Sequence, residues 1–177
     1  MSSDNPVNNL HFQSIKLSYK ARDLFRPREI LLSEAPIKPG DTVLDYGCGT
    51  GSYTFVVAKI VGPTGRVYAL DIHPLAVKHV ENLVRKRGIA NIQTILSDCD
   101  TGLTSAQVDV ILLFDIFHML DDPNRILTEL HRDLKPEGIL SFSDHHMSPQ
   151  GIIDGMTGSR LFRHIGTGEY LYSFAKA

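Results

Sequence analysis

The segment VLDYGCGTG, residues 43–51, constrains the fold more than any other stretch of the chain. It begins apolar, places glycine at 47, 49 and 51, and runs into GSYTFVVAKIV at 51–61, which is apolar nearly all round. Glycine tolerates backbone conformations that other residues avoid, so three at alternate positions mark a tight turn that can approach a ligand closely. A buried strand turning sharply into a buried helix is the opening of a strand–helix–strand unit. The alternation then repeats. Residues 42–45, 66–70, 92–96, 108–114 and 139–142 are short aliphatic runs without clean alternation, the pattern of strands covered on both faces. Between them, 74–87 starts at Pro74, stops at Gly88 and keeps Ala76, Val77, Val80, Leu83 and Val84 on one face. Residues 123–134 start behind Asp122 and turn Ile126, Leu127, Leu130 and Leu134 inward. Strands and helices in this order imply an α/β domain with a mostly parallel sheet and helices on both faces. The tail departs from the pattern. A weak helix over 149–160 precedes two strands, 161–166 and 169–177, flanking Thr167 and Gly168, which read as an antiparallel pair at the sheet edge.

The chemistry follows from two acids. Asp71 closes the second strand 20 positions after Gly51, where a carboxylate can bind the two hydroxyls of a ribose. A nucleoside-bearing ligand is therefore expected. Asp45 lies two residues before the first glycine. A carboxylate there faces a diphosphate poorly, because like charges repel at short range. It suits a ligand with a cationic amino-acid end. S-adenosylmethionine carries an ammonium, a sulfonium and no phosphate, and the helix N-terminus can receive its carboxylate.

With these residues in hand, the chain resembles the class I S-adenosylmethionine-dependent methyltransferases, in the type 11 branch that includes the ubiquinone and menaquinone C-methyltransferases. The resemblance covers roughly residues 20–177. VLDYGCGTG is similar to the family's glycine motif, VYALDIHP to its second-strand acid motif and ILSDCD to its adenine-contacting segment. VDVILLFDIFHML is similar to the fourth-strand motif and LKPEGILSFSD to the approach to the fifth. The resemblance implies a Rossmann-like doubly wound, mostly parallel seven-stranded sheet with the last strand antiparallel. It also implies site roles. Asp45, Gly47, Gly49 and Gly51 would hold the methionine end. Asp71 would take the ribose hydroxyls and Ile72 would pack on the adenine. Asp98 would accept from the adenine amino group, with the Cys99 backbone facing the ring, and Phe114 would offer its carbonyl to the ammonium. Asp98 also reads as a plain loop acid, and Cys48 and Cys99 as small buried fillers.

The acceptor side is less specific. Ligands of open α/β sheets sit beyond the carboxyl ends of the strands. The fourth strand delivers Asp115, Phe117 and His118 there, and the fifth delivers Asp144, His145 and His146. Histidine titrates near neutral pH, so His118 or one of the pair His145/His146, His146 first, is a candidate general base for an acceptor that must lose a proton. The same histidines read equally as caps of the following helices. Their spacing matches no metal motif, and no metal is assigned. After His146 no large cap is inserted, so residues 1–38 are expected to form a helical lid on an α/β core of 40–177, a single domain. Residues 10–38 hold six basic residues against three acidic ones, interleaved with Phe12, Tyr19 and Phe25, and Tyr19 is a candidate wall of the cofactor pocket.

Composition bounds the partners. A net charge of −2 does not indicate nucleic acid. No apolar run approaches the roughly 20 residues that span a bilayer. Two cysteines are too few for a disulfide framework, so a cytoplasmic setting is the default. The expected partner is a small-molecule or lipid-like acceptor, and a homo-oligomer is compatible with the sequence. Two other classes stay open, a non-catalytic S-adenosylmethionine-binding partner subunit and an NAD(P)-dependent oxidoreductase, the latter disfavoured by Asp45.

Overall fold

The computed structural model describes residues 28–177. In chain order the elements are α1 (Arg28–Ser33), β1 (Thr42–Tyr46), α2 (Thr54–Val61), β2 (Arg66–Asp71), α3 (Pro74–Arg87), β3 (Ile92–Leu96), β4 (Val108–Phe114), a 3₁₀ turn (Phe117–Met119), α4 (Pro123–Asp133), β5 (Leu134–Ser143), α5 (Pro149–Thr157), β6 (Phe162–Thr167) and β7 (Tyr172–Lys176).

The seven strands form one sheet in the order β3-β2-β1-β4-β5-β7-β6. Neighbours from β3 to β5 are parallel. β7 runs antiparallel to both β5 and β6. The chain thus crosses past β5 to make the edge strand β6 and returns through β7 into the gap. The fold class read from the sequence holds, and the tail pair lies at the edge as expected. The boundaries move slightly: β5 begins at Leu134, directly at the end of α4, and α5 stops at Thr157.

The central strands β1, β2 and β4 are mostly apolar because their two faces serve two cores. Leu44, Tyr68, Leu70, Ile111 and Leu113 face one cluster with Leu127 and Leu130 of α4 and Ile152 and Met156 of α5. Their chain neighbours Val43, Val67, Ala69, Val110 and Leu112 face the other, with Val57 of α2 and Val80 of α3. Strand geometry sends successive side chains to opposite faces, so a helix layer on each side buries both faces of the central strands. A fully buried Leu or Val stabilises by about 1.5–3 kcal/mol. Helix ends follow the cues in the sequence. His73 caps α3 by accepting from the Leu75 N–H, Gly88 ends it in the left-handed conformation at φ 63°, and Asp122 caps α4.

Part of the expected lid is core. Leu31, Leu32 and Ala35 are buried in the second cluster beside Leu171. The Glu34 carboxylate accepts N–H bonds from Glu169, Tyr170 and Leu171, which ties α1 to the β6–β7 turn. The rest of that stretch, with Phe12, Tyr19 and Phe25, lies outside the described residues. Among the described residues no helix is long and apolar enough to cross a membrane.

Candidate active site

The strand order reverses between β1 and β4, because the chain leaves β1 toward β2 on one side and β4 lies on the other. At such a switch point the loops above the strand ends part and leave a crevice. Here the crevice is lined by Asp45, Gly47, Cys48, Gly49, Thr50, Ser52 and Tyr53 from the glycine turn, and by Phe114, Asp115 and Ile116 from the end of β4. Asp45, Gly47, Gly49 and Phe114, which the sequence assigns to one ligand, therefore converge.

The turn needs its glycines. Gly47, Gly49 and Gly51 have φ of 83°, 54° and 78°. A Cβ on Gly47 would meet Ile116 at 2.9 Å, and one on Gly51 would meet Phe55 at 2.7 Å. Gly51 thus lets α2 pack onto the turn and does not line the crevice. The Gly47 and Cys48 N–H groups both donate to the Leu70 carbonyl at 2.8 Å, so the turn is latched onto β2.

Two buried carboxylates support it. Asp45 is 3% exposed and accepts the Thr54 hydroxyl proton at 2.5 Å. Burial pushes its pKa up to about 6, against the Thr54 bond and with help from the nearby Asp71 charge. Asp71 accepts N–H bonds from Gly49 and His73, both at 2.8 Å. Burial raises it too, and those two bonds oppose the rise. Each Asp71 oxygen keeps a lone pair for a further donor. Among the described residues, no lysine or arginine lines the crevice. A crevice built from buried carboxylates fits a cationic ligand end and not a diphosphate. Burial, and after it the Asp45 and Asp71 charges, also pushes the Cys48 thiol up, which keeps it an inert filler.

Beyond Asp71 the surface turns apolar. Ile72 is 68% exposed and Leu96, which pairs with Asp71 across β2 and β3, is 57% exposed. Two exposed aliphatic side chains thus lie next to Asp71, one following it in the chain and one opposite it on β3. The sequence reading included Ile72 and missed Leu96, whose position at a strand end was its only signal. Asp98 is held by Arg125 at 3.2 Å in a largely exposed pair, a contact the sequence does not announce. The Cys99 N–H donates to Ser97 Oγ at 3.2 Å, and the Tyr46 hydroxyl donates to the Asp98 carbonyl. A larger open hollow of about 490 Å³ lies at the opposite end of the strands, around Arg66, Glu81, Arg85 and Thr94, away from these groups.

On the acceptor side the structure joins residues 26 to 30 positions apart. The His118 ring nitrogen Nδ1 lies 2.8 and 3.0 Å from the two oxygens of Asp144. Asp144 also accepts the backbone N–H groups of His118 and His146, each at 3.1 Å. Burial alone would raise this carboxyl, but the bonds from His118 and His146 hold it below the usual carboxylate range. His145 Nδ1 lies 2.7 Å from Asp115, a residue with φ of 55° that also lines the crevice. The His146 ring is 4.2 Å from that of His118 and 3.9 Å from that of His145, centre to centre. The three imidazoles thus continue from the crevice wall as one tilted stack. Thr54 under Asp45, and Tyr53 edge-on to Phe114 at 5.1 Å, are further site residues that sequence reasoning missed. Among the described residues no group of three or more ligating side chains could hold a metal ion.

Comparison with known proteins agrees with this geometry. Residues 37–176 match the family model described as a methyltransferase domain. The chain is 28% identical over 130 residues to a demethylmenaquinone methyltransferase of Geobacillus stearothermophilus, covering 73% of this chain and 56% of that one. It is 29% identical over 111 residues to an arsenite methyltransferase of Halobacterium salinarum, covering 62% of this chain and 28% of that one. The chain therefore spans about half or less of the length of these curated relatives. The solved structure of an S-adenosylmethionine-dependent methyltransferase from Aquifex aeolicus superposes with a TM-score of 0.73 at 28% identity, covering 89% of this chain and 96% of that one. A family match over most of the chain, on a sheet with this strand order and this glycine turn, places the protein in the methyltransferase domain family.

Proposed function

We propose that the protein transfers the methyl group of S-adenosylmethionine to a small-molecule or lipid-like acceptor. The observation that carries this is Asp45, a buried carboxylate at the topological switch point, in a crevice that no described lysine or arginine lines. In this reading Asp45 and the Phe114 carbonyl receive the amino-acid end of the cofactor, with Gly47 and Gly49 giving it room. Asp71 orients the ribose, Ile72 and Leu96 hold the adenine, and Asp98 and the Cys99 backbone meet its edge. When bound, S-adenosylmethionine supplies an electrophilic methyl on a sulfonium. The chain then has to align an acceptor with that carbon and exclude water. His118 and His146 are the candidate bases. Residues 10–27, with Tyr19, are the candidate cover.

Relatives bearing the same domain act on acceptors as different as demethylmenaquinone and arsenite, so the acceptor is a property of each chain's own wall. The test of cofactor identity is calorimetry with S-adenosylhomocysteine and with NAD. The homocysteine compound should bind at micromolar strength, about 8 kcal/mol, and NAD should give no heat. Tight NAD binding with none of the homocysteine compound would overturn the proposal in favour of an oxidoreductase.

A further inference from the structure

The histidine stack carries a more specific reading, which rests on the methyl-transfer proposal. We infer that His118 is the general base and that Asp144 is its positioning residue, so that the acceptor is a protic one, methylated at an atom that gives up hydrogen.

The argument begins with proton counting. Asp144 is fully buried at its side chain, and its two oxygens already accept two backbone N–H groups. An ionised carboxylate only accepts, so the His118 nitrogen facing it must carry hydrogen. In its neutral form the imidazole therefore carries its proton on Nδ1 and its lone pair on Nε2. The His118 backbone N–H is held by the same carboxylate, so ring and main chain are clamped together. The His118 side chain retains 26% of its surface in solvent, and Asp144 occupies only its Nδ1 side. Exposed Met119, 63% accessible, follows it on the 3₁₀ turn and offers an apolar shoulder to an acceptor.

His146 differs. Its backbone N–H reaches Asp144, but among the described residues its ring meets only the two flanking imidazoles. Nothing there sets its tautomer or its direction. The charged and titratable groups that face His118 are Asp144 and His146, with His145 and Asp115 one ring further along. Of His118 and His146, only His118 is prepared to take a proton and to have the resulting imidazolium stabilised by a fixed anion; His145 pairs likewise with Asp115, but that carboxylate is partly exposed where Asp144 is fully buried.

The step balances. The Nε2 lone pair takes hydrogen from the acceptor atom X, and the X–H electrons form the bond from X to the methyl carbon. The carbon–sulfur electrons stay on sulfur. The positive charge of the sulfonium is replaced by that of the His118 imidazolium beside Asp144, and water later removes the proton. An acceptor that attacks with a lone pair and loses no hydrogen would leave this pair with no task.

The test uses the full chain, labelled with ¹⁵N and saturated with S-adenosylhomocysteine. Long-range proton–nitrogen spectra should show His118 with its proton on Nδ1, the minor form of free histidine, and His146 without that bias. In Asp144→Asn the His118 bias should fall while S-adenosylhomocysteine still binds. Transfer of labelled methyl from S-adenosylmethionine into a deproteinised small-molecule extract should fall about 10²-fold or more in His118→Ala. It should fall strongly in Asp144→Asn and recover in part in Asp144→Glu, with KM for S-adenosylmethionine unchanged. Finding the wild-type His118 proton on Nε2 overturns the inference even if the variants do not fold, and so does full transfer by His118→Ala. A wild type that fails to bind S-adenosylhomocysteine overturns instead the methyl-transfer reading beneath it.

Discussion

Thr54 donates its hydroxyl proton to Asp45 at 2.5 Å, beneath the glycine turn and out of reach of bulk water. The two residues lie nine positions apart, one on β1 and one at the first turn of α2. The bond directs the carboxylate but does not repay its burial, since Asp45 is still raised from 3.8 to about 6. The empty site therefore holds an anion at neutral pH that the fold would prefer to neutralise.

Asp45→Asn should make the empty protein more stable and its cofactor site worse. The folded pKa lies above the unfolded one, so this group contributes most to stability below pH 4. That contribution is lost as pH rises through about 6. At pH 8 the charge costs about 1–3 kcal/mol, the scale of a two-unit shift. The amide keeps an oxygen for Thr54 and removes the charge. Melting temperature at pH 8 should rise, with little gain at pH 4, while affinity for S-adenosylhomocysteine drops at least tenfold. A variant less stable than wild type at pH 8 would show that the carboxylate is satisfied by something other than Thr54.

Cofactor affinity should depend on pH through the same group. The ligand ammonium favours the ionised carboxylate, so binding draws a proton off Asp45. Affinity for S-adenosylhomocysteine should be level above pH 7 and fall by up to about tenfold per unit below pH 6. Calorimetry between pH 5 and 8 measures this directly. The slope should vanish in Asp45→Asn, and an unchanged slope would assign the titration to another group.

Asp71→Ala should weaken cofactor binding by about 1–3 kcal/mol, the scale of hydrogen bonds to a charged group. From the sequence alone the substitution should leave the empty fold unaffected. The structure predicts otherwise, because the Gly49 and His73 N–H groups would lose their acceptor. Melting temperature without ligand should fall too. Measuring both separates the roles: lost stability with unaltered affinity would mean that Asp71 only braces the turn.

What could be read from the sequence was local or periodic. The glycine turn, Asp45 and Asp71 sit in short segments whose residue types are demanded by backbone geometry, so they stand out without a structure. The central strands were legible because two-sided burial leaves a mostly apolar run. Contacts between distant segments were not. Nothing in the spacing of His118 and Asp144 says that one carboxylate clamps the other's ring and main chain, because that depends on β4 and β5 lying side by side in register. Leu31 and Leu32 look like the apolar side of a lid until the second core cluster shows them inside it. Arg125 reaches Asp98 from α4 across 27 residues, and no local pattern encodes that.

The position of α1 gives the last prediction its form. A cover over the cofactor needs a fixed hinge, and Leu31, Leu32 and Ala35 supply one by packing into the core. Glu34 adds a second attachment through its bonds to Glu169, Tyr170 and Leu171. A cut before Pro27 leaves both intact, so deleting residues 1–26 should give a folded domain. Removing the basic and aromatic stretch that holds Tyr19 and Phe25 should weaken S-adenosylhomocysteine binding, since a shielded sulfonium site needs cover from bulk water. In the full chain, hydrogen exchange over residues 10–27 should slow when the ligand is added. Glu34→Ala is the control: the β6–β7 turn loses its acceptor, so the hairpin should exchange faster whether or not ligand is present. If the truncated domain is folded and binds as tightly as the full chain, residues 1–26 are not the cover, and their basic face serves another partner.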